Sequence, residues 1–206
     1  MKSRKTKRKS YTLVIIFLII LLILGIIGFI YLNKDEEKSV VKVERTIPGY
    51  EYTLEENEIE IYKDTFKKLE SILDEEEIDK EEYAKCISEL FIIDFYTLDN
   101  KLSKNDIGGV QFVYPSIKDN YVEKARSTFY KYLEVKENRT QELPNVSEIT
   151  NTEVEKTIFK IKDTKESKEA YKVSISWEYE EDLDYEKEAD LYVVEESNKL
   201  YIIEMD

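Results

Sequence analysis

Asp94 is the residue with the most suggestive chemical surroundings in this sequence. It lies in Leu90–Tyr96, where every other residue is apolar or aromatic. A carboxylate on the apolar side of a helix has either a raised pKa or a bonding partner. Lys101, Arg126 and the tyrosine hydroxyls are candidate partners. The position favours a structural ion pair or hydrogen bond, and a ligand-binding role is the alternative.

The segment from Lys101 to Tyr114 is a second candidate. It contains Asp106 and the pair Gly108–Gly109, which are two of the five glycines in the chain. Glycine permits a positive φ or a close backbone approach, and binding residues often lie on loops held by a rigid scaffold. A turn with Asx capping explains the same composition without a ligand. Asp106, Gly108 and Gly109 therefore form either a turn or a binding loop.

Several kinds of catalytic and metal site lack the residues they need. The chain has no histidine, which excludes Ser-His and Cys-His catalysis and His-ligated metals. Cys86 is the only cysteine, so we expect a buried, inert thiol, with an intermolecular disulfide as the alternative. The acidic runs 74–79 and 178–184 lack the glycine of a calcium loop and predict a solvated surface. We expect no catalytic residue, no metal site and no cofactor.

A first helix is predicted over residues 54–76. Thr53 and Glu56 have the spacing of a capping box at its start. Its apolar positions recur every three or four residues, which gives one stripe facing a core. These positions are Ile59, Tyr62, Phe66, Leu69 and Leu73.

A second helix is predicted from Asp79 to about Leu98, and it carries Asp94. Apolar residues cover more than one side of it, so it should be the most buried element. The connection 99–114 then contains a short extended piece. A third helix follows Pro115, with Ser116 as its cap.

Beyond Pro144 the hydrophobic period changes from 3.6 to 2, which predicts strands. Tyr171, Trp177 and Tyr179 fall on the apolar face of the second strand; they are candidate pocket residues, although core packing is the favoured explanation. The segment 196–199 has the composition of a hairpin turn. The predicted strands are 154–161, 170–179, 189–193 and 200–204.

The formal charge of −14 is unevenly distributed. Residues 1–32 hold six bases and no acid, whereas the remaining residues hold 25 bases and 45 acids and carry −20. Residues 13–32 are 20 residues without a charge, long enough as a helix to cross a bilayer of roughly 30 Å. The positive-inside rule places residues 1–12 in the cytoplasm as a basic tail. The sequence thus predicts a single-pass protein of the cell membrane, anchored in the lipid bilayer by residues 13–32.

The part after the span divides into a juxtamembrane linker, residues 33–52, and one extracytoplasmic α+β domain, residues 53–206. Pro48–Gly49 is a turn signal within the linker. The strongly negative outer domain should be repelled by nucleic acid and by anionic lipid. We therefore expect protein partners, with an oligomer left open, and no nucleic acid.

The order of long helix, buried helix, connection, third helix and four strands over residues 50–206 resembles the NTF2-like (cystatin-like) superfamily. It is most similar in layout to membrane-anchored extracytoplasmic members, the VirB8-like and TcpC-like components of conjugation machines. The resemblance implies about three helices packed on a curved antiparallel sheet. Enzymes of the superfamily use an acidic residue inside the cone as a general base, a role that would fall to Asp94.

The predicted function is a non-enzymatic protein-interaction module of an envelope or of a secretion or conjugation assembly. An extracytoplasmic sensor for a small molecule or peptide is the alternative, with Asp94, Tyr171, Trp177 and Tyr179 in its pocket. An enzyme using Asp94 is the least favoured, because no second catalytic group accompanies this carboxylate.

Overall fold

The computed structural model describes residues 19, 22–25, 42–161 and 165–206. The chain divides into two units, Met1–Val40 and Val41–Asp206. In the first unit Ile19 and residues 22–25 are helical. The rest of the predicted span, the basic tail and the linker up to residue 41 lie outside the described residues. Within the described part, no helix has the length and apolar character needed to cross a membrane.

The second unit begins with a hairpin that starts in the predicted linker and ends in the predicted domain. Strand β1 (Val43–Ile47) pairs antiparallel with β2 (Tyr52–Glu55). Pro48–Gly49 lies in the turn, as predicted, and Gly49 has a φ of +82°. Strand β1 lies wholly in residues predicted as a juxtamembrane linker, so that prediction is wrong for Val43–Ile47.

Helix α1 (Glu60–Leu73) is shorter than predicted. Residues 52–55 pair in β2 and cannot start a helix, so the predicted capping box of Thr53 and Glu56 is wrong. The predicted stripe is otherwise present: the buried residues of α1 are Tyr62, Phe66, Leu69 and Ile72.

Helix α2 (Lys80–Tyr96) confirms the second predicted helix. The Asp79 carboxylate caps it by accepting hydrogen bonds from the amides of Glu81 (2.9 Å) and Glu82 (3.2 Å). Every residue of 90–98 is buried. This helix contacts both α1 and the sheet, which explains why apolar residues surround nearly its whole circumference.

Between α2 and the sheet the chain forms short 3₁₀ turns and one helix, α3 (Lys118–Ser127). The expected extended piece near residue 112 is a 3₁₀ turn, Val110–Phe112. Ser116 does not cap α3, because it lies inside a second 3₁₀ turn, Pro115–Ile117, that leads into the helix.

Four strands form an antiparallel sheet in the order of the sequence. They are β3 (Val146–Lys160), β4 (Ser167–Tyr179), β5 (Glu188–Glu196) and β6 (Lys199–Met205). All four predicted strands are present, and each is longer than predicted. Ser197 and Asn198 both have positive φ in the β5–β6 turn, the conformation of a tight hairpin turn. The α+β class with a four-stranded antiparallel meander is thus confirmed.

Candidate functional site

A polar cleft lies where the β1–β2 hairpin, the end of α2 and the segment before α3 meet. Its volume is about 250 Å³. Four carboxylates and two lysines contribute to its lining, so it is mainly acidic, and we call it the acidic cleft. Its lining residues are Thr53, Glu55, Glu58, Asp94, Lys101, Asp106, Ile107, Val110, Gln111 and Lys118.

An ion pair between Asp94 and Lys101 forms the inner wall of the acidic cleft. The Lys101 ammonium donates to Asp94 Oδ1, and the two residues are only 3 % and 8 % exposed. Burial alone lowers the pKa of Lys101, but the negative charges of Asp94 and Glu58 outweigh it and raise the pKa above its ordinary value. Lys101 therefore stays charged at neutral pH, with Asp94 as its ion-pair partner.

Two glycines bring the loop against helix α2 so that it can reach Asp94. The Gly109 amide donates to Asp94 Oδ2 at 2.6 Å. A Cβ on Gly108 would lie 2.1 Å from the Asp94 carbonyl oxygen, and one on Gly109, at φ +75°, would lie 2.5 Å from the Phe91 ring. Only glycine fits at either position, and Asp94 then has both carboxylate oxygens engaged.

Tyrosine hydroxyls hold this loop in place from the other side. Tyr121 donates to the Gly108 carbonyl at 2.6 Å. Tyr130 accepts from the Gly108 amide at 3.2 Å and donates to the Phe95 carbonyl at 2.7 Å. These bonds satisfy the backbone polar groups that the close approach to α2 buries.

Arg139 fixes the chain that leads to Lys101. Its guanidinium donates to the carbonyls of Leu98 (3.2 Å), Asp99 (3.1 Å) and Lys101 (2.7 Å). Arg139 thus fixes the backbone of Lys101, and this places the ammonium group of Lys101 beside Asp94.

Gln111 joins the loop to the β1–β2 hairpin. Its amide oxygen accepts from the Thr53 amide at 2.8 Å, and its amide nitrogen donates to the Thr53 carbonyl at 3.0 Å and to the Tyr62 hydroxyl at 2.8 Å. A side-chain amide that pairs in both directions has one fixed orientation. This wall of the acidic cleft is therefore rigid.

Glu58 is the most unusual ionisable group of the acidic cleft. It is 8 % exposed, and among the described residues the one hydrogen-bond donor to its carboxyl group is the Asn100 amide, 3.2 Å from Oε2. Burial, followed by the charge of Asp94, raises the pKa of Glu58 to about 8. Burial and the charges of Asp106 and Asp94 also raise the pKa of Glu55. Part of the acidic cleft is thus protonated at neutral pH.

The structure brings together the two candidates that the sequence singled out separately. Asp94 and Asp106 both line the acidic cleft, and Gly108–Gly109 pack behind it against Asp94. Of the three suggested partners of Asp94, Lys101 forms the contact. Both alternatives for the loop remain, because the glycines serve packing while Asp106 faces the acidic cleft.

The three aromatic candidates lie apart from the lining of the acidic cleft. Trp177 is 1 % exposed and packs on Tyr96, with ring centroids 4.8 Å apart. Tyr179 is buried beside Trp177, and Tyr171 is half-buried on β4. Their positions fit the core-packing interpretation.

Sequence reasoning missed Glu58, Glu55 and Gln111. Both glutamates lie in a run of acidic residues that resembles an ordinary solvated surface. Their burial depends on β2 and on the loop around Gln111, and the pattern did not predict that long-range contact. The only local signal is one apolar neighbour of each acid, Leu54 before Glu55 and Ile59 after Glu58.

No three Asp, Glu or Cys side chains of the described residues converge closely enough to hold a metal ion. Cys86 is buried, with its thiol 3.3 Å from the Thr65 carbonyl, and burial raises its pKa well above the ordinary value. A thiol in this state is a poor nucleophile.

A second, more open depression runs beside the first half of β3, and we call it the β3 groove. Its volume is about 470 Å³. Its walls are Ile61 and Thr65 of α1, Lys85 and Glu89 of α2, and residues 147–152 of β3. The Thr152 hydroxyl donates to Glu89 at 2.9 Å, which ties the strand to the helix.

The chain matches no protein-family model, no curated protein and no solved structure.

Proposed function

We propose that this chain is a single-pass membrane protein whose extracytoplasmic domain binds other proteins through the free edge of β3. One observation carries the proposal: β3 runs for 15 residues at the edge of the sheet, and among the described residues it pairs with β4 alone. An unpaired edge presents a row of backbone donors and acceptors to another strand.

The side chains of β3 make that edge selective. Ile158 is 72 % exposed, whereas Glu153, Glu155 and Lys156 supply charges along the same strand. Charged side chains discourage indiscriminate edge pairing. A partner strand would need complementary charges and an apolar contact for Ile158.

The β3 groove extends the same surface toward the helices. An extended peptide on the edge of β3 would send alternate side chains into the space bounded by Ile61, Lys85 and Glu89. The two features lie next to each other, which gives a partner both backbone pairing and a place for side chains.

Anchoring and orientation rest on the sequence. The uncharged span 13–32 and the charge division around it support a cytoplasmic N-terminus and an outer domain. The finer fold assignment, an NTF2-like cone of the VirB8-like or TcpC-like layout, is also part of the proposal and is supported by the order of helices before a four-strand meander. An envelope, secretion or conjugation assembly is the setting that this layout favours.

Photo-crosslinking in native cells tests the interaction surface. A photoreactive residue at Glu153 should give a discrete adduct of higher mass, and Ile158→Lys should remove it. Val43→Lys is the matched control, because Val43 is also an exposed apolar strand residue but lies on β1. An uncrosslinked monomer at Glu153, or equal adducts in both lysine variants, would contradict the proposal.

Cysteine labelling tests the membrane topology. The native Cys86 is buried and should not react with a maleimide, so the unmodified chain gives no background. A membrane-impermeant maleimide should label Ser39→Cys in intact cells and Ser10→Cys only after permeabilisation. The reverse pattern would overturn the orientation, and equal labelling of both without permeabilisation would overturn the anchor.

A sensor for small molecules is the second candidate function, and the acidic cleft is the observation that favours it. The enzyme alternative has less support, since Asp94 has both oxygens engaged by Lys101 and Gly109. A general base needs an oxygen within reach of the substrate proton.

A further inference from the structure

The carboxylates of the acidic cleft are unequally neutralised. Asp94 is paired with Lys101, and Asp106 accepts from the Leu102 amide at 2.8 Å. Glu55 and Glu58 form no ion pair with any described residue, although both line the acidic cleft. The carboxyl groups on the side formed by β2 and by the residue pair before α1 therefore have no cationic partner among the described residues.

Glu58 is costly to the fold in its observed surroundings. A buried carboxyl is normally paired with a cation or surrounded by donors. Glu58 has one neutral donor, Asn100, whose own amide oxygen is buried and has no partner among the described residues. Glu58 thus lacks full hydrogen bonding where it lines the acidic cleft, and a bound donor would complete it.

The spacing of the acids selects the kind of cation. A calcium or magnesium ion needs several oxygens converging on one point, and no such group of three occurs among the described residues. An organic cation carries several N–H donors spread over a few ångströms and can meet separated carboxylates. The volume of about 250 Å³ suits a small organic group.

We propose that the acidic cleft binds an organic cation through an ammonium or guanidinium group, with Glu58 and Glu55 as the accepting carboxylates. The cation is either a free amine or the Lys or Arg side chain of a protein ligand, since both present the same group. Gln111 and the Asp94–Lys101 pair form fixed walls that keep the two glutamates in place.

Binding should be coupled to loss of a proton. Burial and Asp94 raise the pKa of Glu58 to about 8, and a cation favours the ionised carboxylate. Affinity should therefore rise as pH increases between about 6 and 9. The charged groups that face Glu58 are Glu55 of β2, Asp94 of α2, Lys101 and Asp106 of the loop, and Lys118 at the start of α3.

Titration calorimetry of the full chain in detergent tests the proposal with agmatine, putrescine and a short arginine peptide. Butane-1,4-diol is the neutral counterpart of putrescine. We expect the cations to bind and the diol not to bind, and we expect Glu58→Gln to weaken binding by about tenfold or more. Glu56→Gln is the matched control, because Glu56 lies outside the acidic cleft and pairs with Lys42.

The calorimetry distinguishes a free amine from a protein ligand, and some of its results would overturn the proposal. Preference for the peptide over agmatine identifies a protein ligand, and the reverse identifies a free amine. Equal binding by Glu58→Gln and the unmodified chain, equal binding of the diol, or no binding of any cation at millimolar concentration would overturn the proposal. If Glu58→Gln fails to fold, Glu55→Gln serves as the test variant with the same expected loss.

Discussion

Two ion pairs of this protein join the same residue types, Asp and Lys, but differ in their exposure to solvent. Asp94–Lys101 has side chains that are 11 % and 4 % exposed, and Asp190–Lys172 on the sheet has side chains that are 37 % and 32 % exposed. The sheet pair has water as an alternative partner, whereas the buried ammonium of Lys101 depends on Asp94 for its compensating charge. The local dielectric, rather than the residue types, determines which pair the fold depends on.

Asp94→Asn should give the largest effect of the changes considered. It leaves the Lys101 charge buried without its partner, and breaking a buried pair in this way costs about 3–5 kcal/mol of unfolding free energy. Chemical denaturation of the variant and the unmodified chain measures it. Adding Lys101→Met should restore part of the loss, and a double variant as unstable as Asp94→Asn would show that the buried charge is not the cause.

Glu58→Gln tests a buried acid that has no cationic partner. Because the pKa of Glu58 is raised in the folded chain to about 8, the folded state retains a proton that the unfolded state loses above its lower pKa. Stability should therefore fall as pH rises from about 4.5 to 8, by a few kcal/mol. The glutamine variant should lose this dependence and be the more stable form above pH 8.

Unfolding midpoints across that pH range, with Glu56→Gln as control, measure the effect. Glu56 is an exposed acid two residues away and pairs with Lys42 at 2.6 Å. A Glu58→Gln profile parallel to that of the unmodified chain would assign the pH dependence to another group.

Comparing the stability losses of Gly109→Ala and Gly49→Ala separates the cost of a positive φ from the cost of a steric clash. Both residues have positive φ, at +75° and +82°, but a Cβ meets the Phe91 ring only at Gly109. Gly49→Ala should cost about 1–2 kcal/mol, and Gly109→Ala about 1–3 kcal/mol more. Equal losses in thermal unfolding would mean that the loop can move away from α2 at no cost.

Asp190→Asn should give the smallest effect, less than about 1 kcal/mol. Lys172 and Ser174 hold the pKa of Asp190 below its usual range, so the small contribution is present at neutral pH and lost as pH falls through the folded-state pKa. Moderate salt should remove most of it. A salt-resistant loss comparable to that of Asp94→Asn would remove the distinction between the two pairs.

Elements with a strong local signal were predictable. Asp79 caps α2 because its side chain reaches its own next amides, and the alternation of β4 follows from one buried face. The β5–β6 turn at Ser197–Asn198 likewise depends only on neighbouring residues.

The acidic cleft was predictable only in part. Asp94 stood out because it interrupts an apolar stretch, and Lys101 was one of its candidate partners. Glu58 had no such signal in the sequence. Its burial depends on contacts from distant segments, among them the Asn100 amide and the hairpin that Gln111 holds. The predicted start of α1 was wrong for the same reason, because residues with a favourable capping pattern pair with β1 as strand β2.

The order of the elements also has a consequence for biosynthesis. All four strands of the sheet are sequence neighbours and lie after the helices, so the sheet can form through local hairpins with a small loss of loop entropy. Helix α2, apolar on most sides, leaves the ribosome before the strands that cover it. We therefore expect the nascent chain to expose α2 until its C-terminal third is made, and truncation within β3–β6 should convert the product into a substrate for chaperones.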